Sequence, residues 1–239
     1  AHTHLIPHST ASDYVRSNLL GTLNLVEYAR RTTPRLFVHL SAMSVYGDVT
    51  ASELDEETPL NRPELYGATK YVAELIVREA GGAFPVLCIR LPGVVGRDYF
   101  TPWIGTMLRA AMQHEPMRIY HPDALFNNVV DLQEIGRFVT HAITRGVAGC
   151  DVVALAASEP MRIREVVNLL RLLTQSRSEV IVMDGAQKRS FVIRTDRLRD
   201  RLGFHASTTR TRRASRAGST TATSCRSSTG AASRATSCS

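Results

Sequence analysis

The amino-acid sequence predicts an α/β fold, and three observations carry the reading. Helix-period apolar spacing, as in Val15, Leu19, Leu23 and Val26, alternates with short continuous apolar runs of strand length. Gly and Pro punctuate the changes from one pattern to the other. After His205 the composition breaks: residues 206–239 contain no Val, Ile, Leu, Met, Phe, Tyr or Trp. A segment with so little to bury cannot offset its ordering entropy, so a disordered tail is expected.

Taken in order, Ser12 and Asp13 are candidate N-caps for a first helix ending near Arg31, before Pro34. Residues 35–40 read as a buried parallel strand. Residues 48–62, rich in Glu, Asp, Thr and Pro, read as a loop. A helix over residues 66–79 offers Val72, Leu75, Ile76 and Ala80 to the core and stops at Gly81-Gly82. Residues 85–91 form the next strand, with Pro92-Gly93 as its exit. Trp103, Ile104, Met107, Leu108 and Met112 mark an amphipathic helix that packs into a core. Residues 126–131 are a strand and turn before a helix over 132–144. Residues 152–155, a helix over 164–173 and residues 180–183 complete a small mixed lobe. Thr195-Asp196 cap a last helix ending at Gly203.

The chain has 239 residues and a formal net charge of +7. Six of those charges are arginines of residues 207–239, a stretch with no acid, so the remainder is nearly neutral. No aromatics are interleaved there for base stacking, which argues against specific nucleic-acid recognition. A translated frameshift is the preferred reading of the tail. Cys88, Cys150, Cys225 and Cys238 form no C-x-x-C and no metal-like spacing with His, and the spacing of His2, His4 and His8 suits exposed histidines better than a metal site. A reducing cytoplasm is the expected compartment. No apolar run approaches the roughly 18 residues a membrane span needs.

The candidate chemistry lies at Tyr66-Gly67-Ala68-Thr69-Lys70. Four residues advance a helix about 6 Å and a little over one turn, so Tyr66 and Lys70 leave the same face. A phenol titrates near 10, and using it as a base near pH 7 takes roughly 4 kcal/mol of preferential phenolate stabilisation. An ammonium about 4 Å away supplies on the order of that amount at an effective dielectric near 20. The chain has seven Tyr and only two Lys, Lys70 and Lys188, so a chance Tyr-to-Lys spacing of four has a probability of roughly 0.06.

The flanking motifs are Asn18-Leu19-Leu20-Gly21-Thr22-Leu23-Asn24-Leu25, Val45-Tyr46-Gly47, the Tyr66 to Lys70 segment and Arg90-Leu91-Pro92-Gly93-Val94-Val95-Gly96. In this order they resemble the extended short-chain dehydrogenase/reductases, specifically the NAD-dependent epimerase/dehydratase family that modifies nucleotide sugars. The resemblance covers roughly residues 1–205. It implies a partial Rossmann-type doubly wound parallel sheet in residues 1–96. Residues 97–205 would be mainly a substrate lobe, with segments that return to the sheet, and 206–239 the disordered tail. It implies NAD, or NADP, as cofactor and a nucleotide-sugar substrate, with a homodimer left open.

By the same resemblance Tyr66 is the general base or acid, and Lys70 steadies it and holds the nicotinamide ribose. Asn18 lies near the cofactor and the lysine, and the backbone of Pro92 passes the nicotinamide. The family's Ser or Thr, three residues before the Val of Val-Tyr-Gly, falls on Ala42, whose methyl cannot donate a hydrogen bond. If the strand end stays extended, Ser44 shares the side of Ala42 and Ser41 takes the other, so Ser44 is the preferred substitute and Ser41 the second. Asn127 or Asn128 is a candidate substrate contact. Ala42 also keeps open a non-catalytic relative that binds a nucleotide or sugar. No G-x-x-G-x-x-G or G-x-G-x-x-G occurs in the sequence, so the resemblance implies an N-terminally truncated, inactive fragment lacking the amides that receive pyrophosphate.

Overall fold

The computed structural model describes residues 9–96, 102–184 and 190–208. His2, His4, His8, Lys188 and residues 209–239 lie outside them. The first helix opens one turn earlier than the cap candidates suggest. Thr10 is the N-cap: its hydroxyl accepts from the Asp13 amide at 3.3 Å, and the Asp13 carboxylate accepts from the Thr10 amide at 2.8 Å. Asp13 is therefore the reciprocal partner in a capping box. Helix α1 (Ala11–Tyr14) runs through a π-helical stretch, Val15–Leu20, into α2 (Gly21–Thr32). Thr33 takes a left-handed conformation at φ 41° and Pro34 prevents continuation.

Strand β1 (Phe37–Ala42) ends in a 3-10 turn, Met43–Tyr46, followed by the two-residue β2 (Glu53–Leu54) and the long α3 (Leu65–Glu79). A short 3-10 turn, Ala80–Gly82, leads to β3 (Val86–Leu91) and β4 (Gly93–Val95). Beyond them come α4 (Pro102–Met112), β5 (Met117–Ile119), β6 (Leu125–Phe126), β7 (Val129–Asp131) and α5 (Leu132–Arg145). The chain then forms β8 (Cys150–Ala154), β9 (Met161–Arg162), α6 (Ile163–Thr174), β10 (Val180–Val182), β11 (Val192–Ile193) and α7 (Asp196–Leu202).

The main sheet has the order β1-β3-β8 and is parallel throughout. Phe37 pairs with Val86 and Ala42 with Leu91, so both strands end at the same level. Every residue of the central strand β3 is buried, as a parallel strand covered on both faces requires. On one face Phe37, Val86, Cys88 and Val152 pack against Val26 and Ala29 of α2 and Val77 of α3. On the other, Leu87, Ile89, Leu91 and Val153 pack against Ile135 and Phe138 of α5 and Leu198 and Leu202 of α7. Helices on both faces of a parallel sheet make this a doubly wound α/β arrangement. The stretch read as residues 152–155 of the small lobe is thus a strand of the main sheet.

Smaller pairings surround the ends of these strands. β4 runs parallel to β7, β5 to β10, and β2 to β11, while β6 and β9 are antiparallel. Helices α4 and α6 close over β5 through Met107, Ala111, Met117 and Val167, whereas Met112 is exposed. Asp131 caps α5 by accepting the Gln133 amide. Thr195 occupies the N-cap position of α7 without a side-chain cap, and Gly203 at φ 62° ends that helix. Residues 206–208, read from the sequence as part of the tail, are placed against the body. Ala206 packs on the main core, and Ser207 donates its amide and hydroxyl to the Glu134 carboxylate at 2.8 and 2.9 Å. Two charge-assisted hydrogen bonds hold what apolar burial alone would not.

Candidate active site

The core-facing side of α3 differs from the apolar stripe expected of it. Thr69, Lys70, Ala73, Glu74, Val77 and Ala80 are buried, while Val72 and Leu75 are exposed. Polar residues face the sheet because partners wait for them there. Asn18, buried in the π-helical stretch, donates its amide to the Thr69 hydroxyl at 3.1 Å, and Thr69 donates to the Tyr66 carbonyl at 2.9 Å. Asn18 therefore reaches the site through the turn that links Tyr66 to Lys70. A π-helical stretch often marks a functional position, because the wider turn re-aims one side chain.

Lys70 is only 3% exposed, and its ammonium donates to the Leu40 carbonyl of β1. Burial lowers its pKa, and the Glu74 carboxylate one turn on works against that. Tyr66 is half-buried, with its ring centroid 6.2 Å from that of Tyr14. The pair expected on one helix face is thus a buried cation one turn along the helix from a partly accessible phenol.

The serines lie elsewhere than strand alternation suggests. β1 stops at Ala42 and the backbone turns into a 3-10 helix, so the period of two does not extend to Ser44. Ser44 is exposed on that turn. Gly67 of α3 lies so near it that a Cβ at Gly67 would stand 2.0 Å from the Ser44 carbonyl oxygen. This close approach seats the residue after Tyr66 directly on the Ser44 turn. Ser41 is buried, and its hydroxyl has no hydrogen-bond partner among the described residues. It shares the α3 side of β1 with Phe37 and His39, away from solvent.

Pro92 follows Leu91 and lies at the strand-end level of Ala42, beside β4. That is the carboxyl edge of a parallel sheet, where ligands of open α/β folds are held. His39 is buried with its Nε2 unpaired. Burial first, and the Lys70 charge second, push its pKa down to about 3, so it is neutral.

Asn127 serves the fold. It donates to the carbonyls of Ala157 at 2.9 Å and Ile193 at 2.8 Å and accepts from the Ile193 amide, which ties β11 to the strand ends. Asn128 donates to the Phe191 carbonyl at 3.5 Å. Among the described residues no group of three or more His, Cys, Asp or Glu is placed to hold a metal ion, and no helix is long and apolar enough to cross a membrane.

Thr69, Glu74, Arg90 and Tyr46 are site-supporting residues that sequence reading missed. Glu74 carried one signal, its spacing of four from Lys70. Arg90 and Tyr46 carried none beyond their place in motifs.

Residues 6–124 match the family model described as the NAD dependent epimerase/dehydratase family. The chain belongs to this family. A dTDP-glucose 4,6-dehydratase from Neisseria gonorrhoeae is 26% identical over 159 residues, which cover 59% of this chain and 44% of that relative. The match therefore spans less than half the length of that relative. Among solved structures, the Bordetella bronchiseptica enzyme WbmG in complex with NAD superposes with a TM-score of 0.73 at 17% identity, covering 87% of this chain and 65% of that one. MoeE5 in complex with UDP-glucuronic acid and NAD gives 0.70 at 23% identity, covering 84% and 69%. These likenesses show a shared fold.

Proposed function

We propose that this chain carries the proton-transfer part of an NAD(P)-dependent enzyme acting on a nucleotide sugar. The carrying observation is Lys70: a nearly fully buried ammonium one helical turn beyond a partly accessible Tyr66, both on the helix that abuts the Ser44 turn. Membership of an NAD dependent family supports the cofactor, and the sugar nucleotides named for its dehydratase and MoeE5 relatives support the substrate class.

The donor chemistry fits the nicotinamide-ribose end of such a cofactor. An ammonium has three N–H donors, and the Leu40 carbonyl takes one of them, leaving two of a kind that ribose hydroxyls accept. Lys70 and Pro92, with Asn18 behind them, are the residues that would hold that end. When bound, nicotinamide supplies a hydride acceptor. Tyr66 accepts the proton of the sugar hydroxyl as its carbon is oxidised and returns it on reduction. Lys70 favours the phenolate by charge, at short range and low dielectric. Ser44, exposed on the turn against Gly67, is the hydroxyl available to orient the sugar oxygen.

The test is turnover of UDP- and dTDP-linked glucose, followed by proton NMR with NAD or NADP present. Assayed with any sequence that precedes it in its gene included, the wild type is expected to convert one of them, and Tyr66→Phe in the same protein to lose conversion by at least about a hundredfold, the usual worth of a positioned acid or base. Full turnover in Tyr66→Phe would remove Tyr66 from the chemistry. Ala42 favours a second reading, a relative that binds without turnover. Binding of the sugar nucleotide by calorimetry with no conversion in wild type or in Ala42→Ser would select it.

A further inference from the structure

Behind Lys70 lies a second buried charged group that neither the family match nor the proposed proton transfer uses. Glu74 is fully buried on α3, one turn past Lys70 on the same face. Arg90 of the central strand closes on it with Nε 3.1 Å from Oε1 and Nη2 2.8 Å from Oε2. The other arm of the guanidinium leads away from the helix. Nη1 donates to the Tyr46 hydroxyl at 2.8 Å and to the Glu56 carbonyl at 3.1 Å, and the cation lies 4.9 Å from the Tyr46 ring centroid. The Tyr46 hydroxyl in turn donates to the Asp55 carbonyl at 2.7 Å. Tyr46 is the last residue of the 3-10 turn that bears Ser44. A single guanidinium therefore touches both the helix of Lys70 and the turn of Ser44.

Stability alone is a poor explanation for this group. A buried ion pair is often no more stabilising than a well-packed apolar pair of similar volume. An apolar pair, however, cannot place a negative charge beside an ammonium, nor fix a helix's rotation with a two-pronged contact. We infer that Glu74 and Arg90 are positioning residues for Lys70, with Glu74 keeping its ammonium charged and Arg90 holding that turn of α3 in register with the Ser44 turn. The inference rests on the reading of Lys70 as the cation of the site.

The titratable and charged groups around Lys70 are few. Among the described residues they are Tyr66 and Glu74 on its own helix, Cys88 and Arg90 on β3 and His39 on β1. Burial keeps the Cys88 thiol protonated and His39 neutral. Burial works against the Arg90 charge, but the hydrogen bonds and charge of Glu74 outweigh it and hold Arg90 ionised. Of these groups, Glu74 is the one whose carboxylate charge works in favour of the Lys70 ammonium.

The experiment follows Lys70 directly. Lysine labelled with carbon-13 at Cε gives two signals in a chain with two lysines, and Lys188→Arg leaves Lys70 alone. In that background the NMR titration midpoint of Lys70 is expected to move to lower pH in Glu74→Gln. Tyr46→Phe, which keeps both charges, is expected to leave it in place. Glu74→Gln strands the arginine, so the double variant Glu74→Gln/Arg90→Met, with no unpaired charge left, is measured beside it and is expected to shift in the same direction. Near-ultraviolet circular dichroism verifies folding. An unchanged midpoint in either folded variant overturns the inference, as does an equal shift in Tyr46→Phe. Absence of sugar-nucleotide turnover in the wild type, assayed with any sequence that precedes it in its gene included, would end the functional reading and leave this titration able to decide the positioning role.

Discussion

The ammonium of Lys70 donates to the carbonyl of Leu40, which points away from the rest of the sheet. The direction follows from register. Phe37 donates its amide to the Pro85 carbonyl, so residues 37, 39 and 41 turn their backbone groups toward β3, and residues 38, 40 and 42 turn theirs outward. Among the described residues no strand pairs with that outer edge of β1. Lys70 therefore satisfies an acceptor at an open sheet edge, as well as standing one turn from Tyr66.

This relationship predicts the behaviour of Lys70→Met. The variant removes a buried ammonium, whose desolvation opposes folding, and frees one carbonyl. Leu40 is 46% exposed, so water can take over that acceptor. The two effects nearly cancel, and stability is expected to change by no more than about 1 kcal/mol. Turnover is expected to vanish, because the phenolate of Tyr66 loses its cation. Urea unfolding and the sugar-nucleotide assay together check the split; a collapse of stability would mean that Lys70 serves the fold first.

Gly67 should tolerate nothing larger. A methyl group there meets the Ser44 carbonyl oxygen at 2.0 Å and its carbon at 2.7 Å, both backbone atoms that no rotamer change can move. Gly67→Ala gains up to about 1 kcal/mol of helix propensity. The forced separation of α3 from the Ser44 turn costs about 1–3 kcal/mol or more. Net destabilisation with loss of turnover is expected. Gly136→Ala, also within a helix but with nothing inside 4 Å of the added methyl, is expected to stabilise by about 0.5–1 kcal/mol. Equal thermal midpoints for the two variants would contradict the close-approach argument.

Ala42→Ser restores a hydroxyl where the strand gives way to the turn. If that hydroxyl binds the reacting oxygen more strongly as charge develops, kcat rises while KM changes little. Steady-state kinetics on the converted sugar nucleotide reads this out. A lower KM at constant kcat would assign the hydroxyl to ground-state binding alone.

Much of the fold was legible because its causes are local. Strand β3 is an apolar run interrupted only by Arg90 and bounded by Pro85 and Pro92, and α3 is bounded by proline on one side and glycines on the other. The cap at Thr10 is legible too, since Thr10 with Asp13 three residues later is a capping pattern, although Ser12 and Asp13 both stand nearer the first apolar residue of the helical period. The buried face of α3 was not legible. An apolar-stripe reading assigns Lys70 and Glu74 to solvent, and only the Leu40 carbonyl and Arg90, supplied by strands distant in sequence, make their burial tolerable. The same holds for Ser44, whose direction depends on a helical turn that alternation cannot anticipate.

His39 supplies a pH dependence with a definite sign. Its folded pKa, about 3, lies below the unfolded value near 6.5, with burial the larger cause and the Lys70 charge the smaller. The unfolded chain therefore binds a proton that the folded chain refuses. The stabilising contribution is complete above pH 6.5 and is lost as pH falls toward 3. Each pH unit in that window is worth about 1.4 kcal/mol, so going from pH 6.5 to pH 5 removes about 2 kcal/mol. His39→Leu abolishes the titration and keeps an apolar side chain beneath α3. Urea midpoints at pH 7 and pH 5 should show the variant losing about 2 kcal/mol less than wild type over the interval. Glu56, whose carboxyl pKa is raised by burial, contributes in the opposite direction but is present in both proteins and cancels in the difference. An equal pH loss in the two proteins would mean that His39 becomes protonated within the fold, with Nε2 finding a partner that the closed face beneath α3 does not provide.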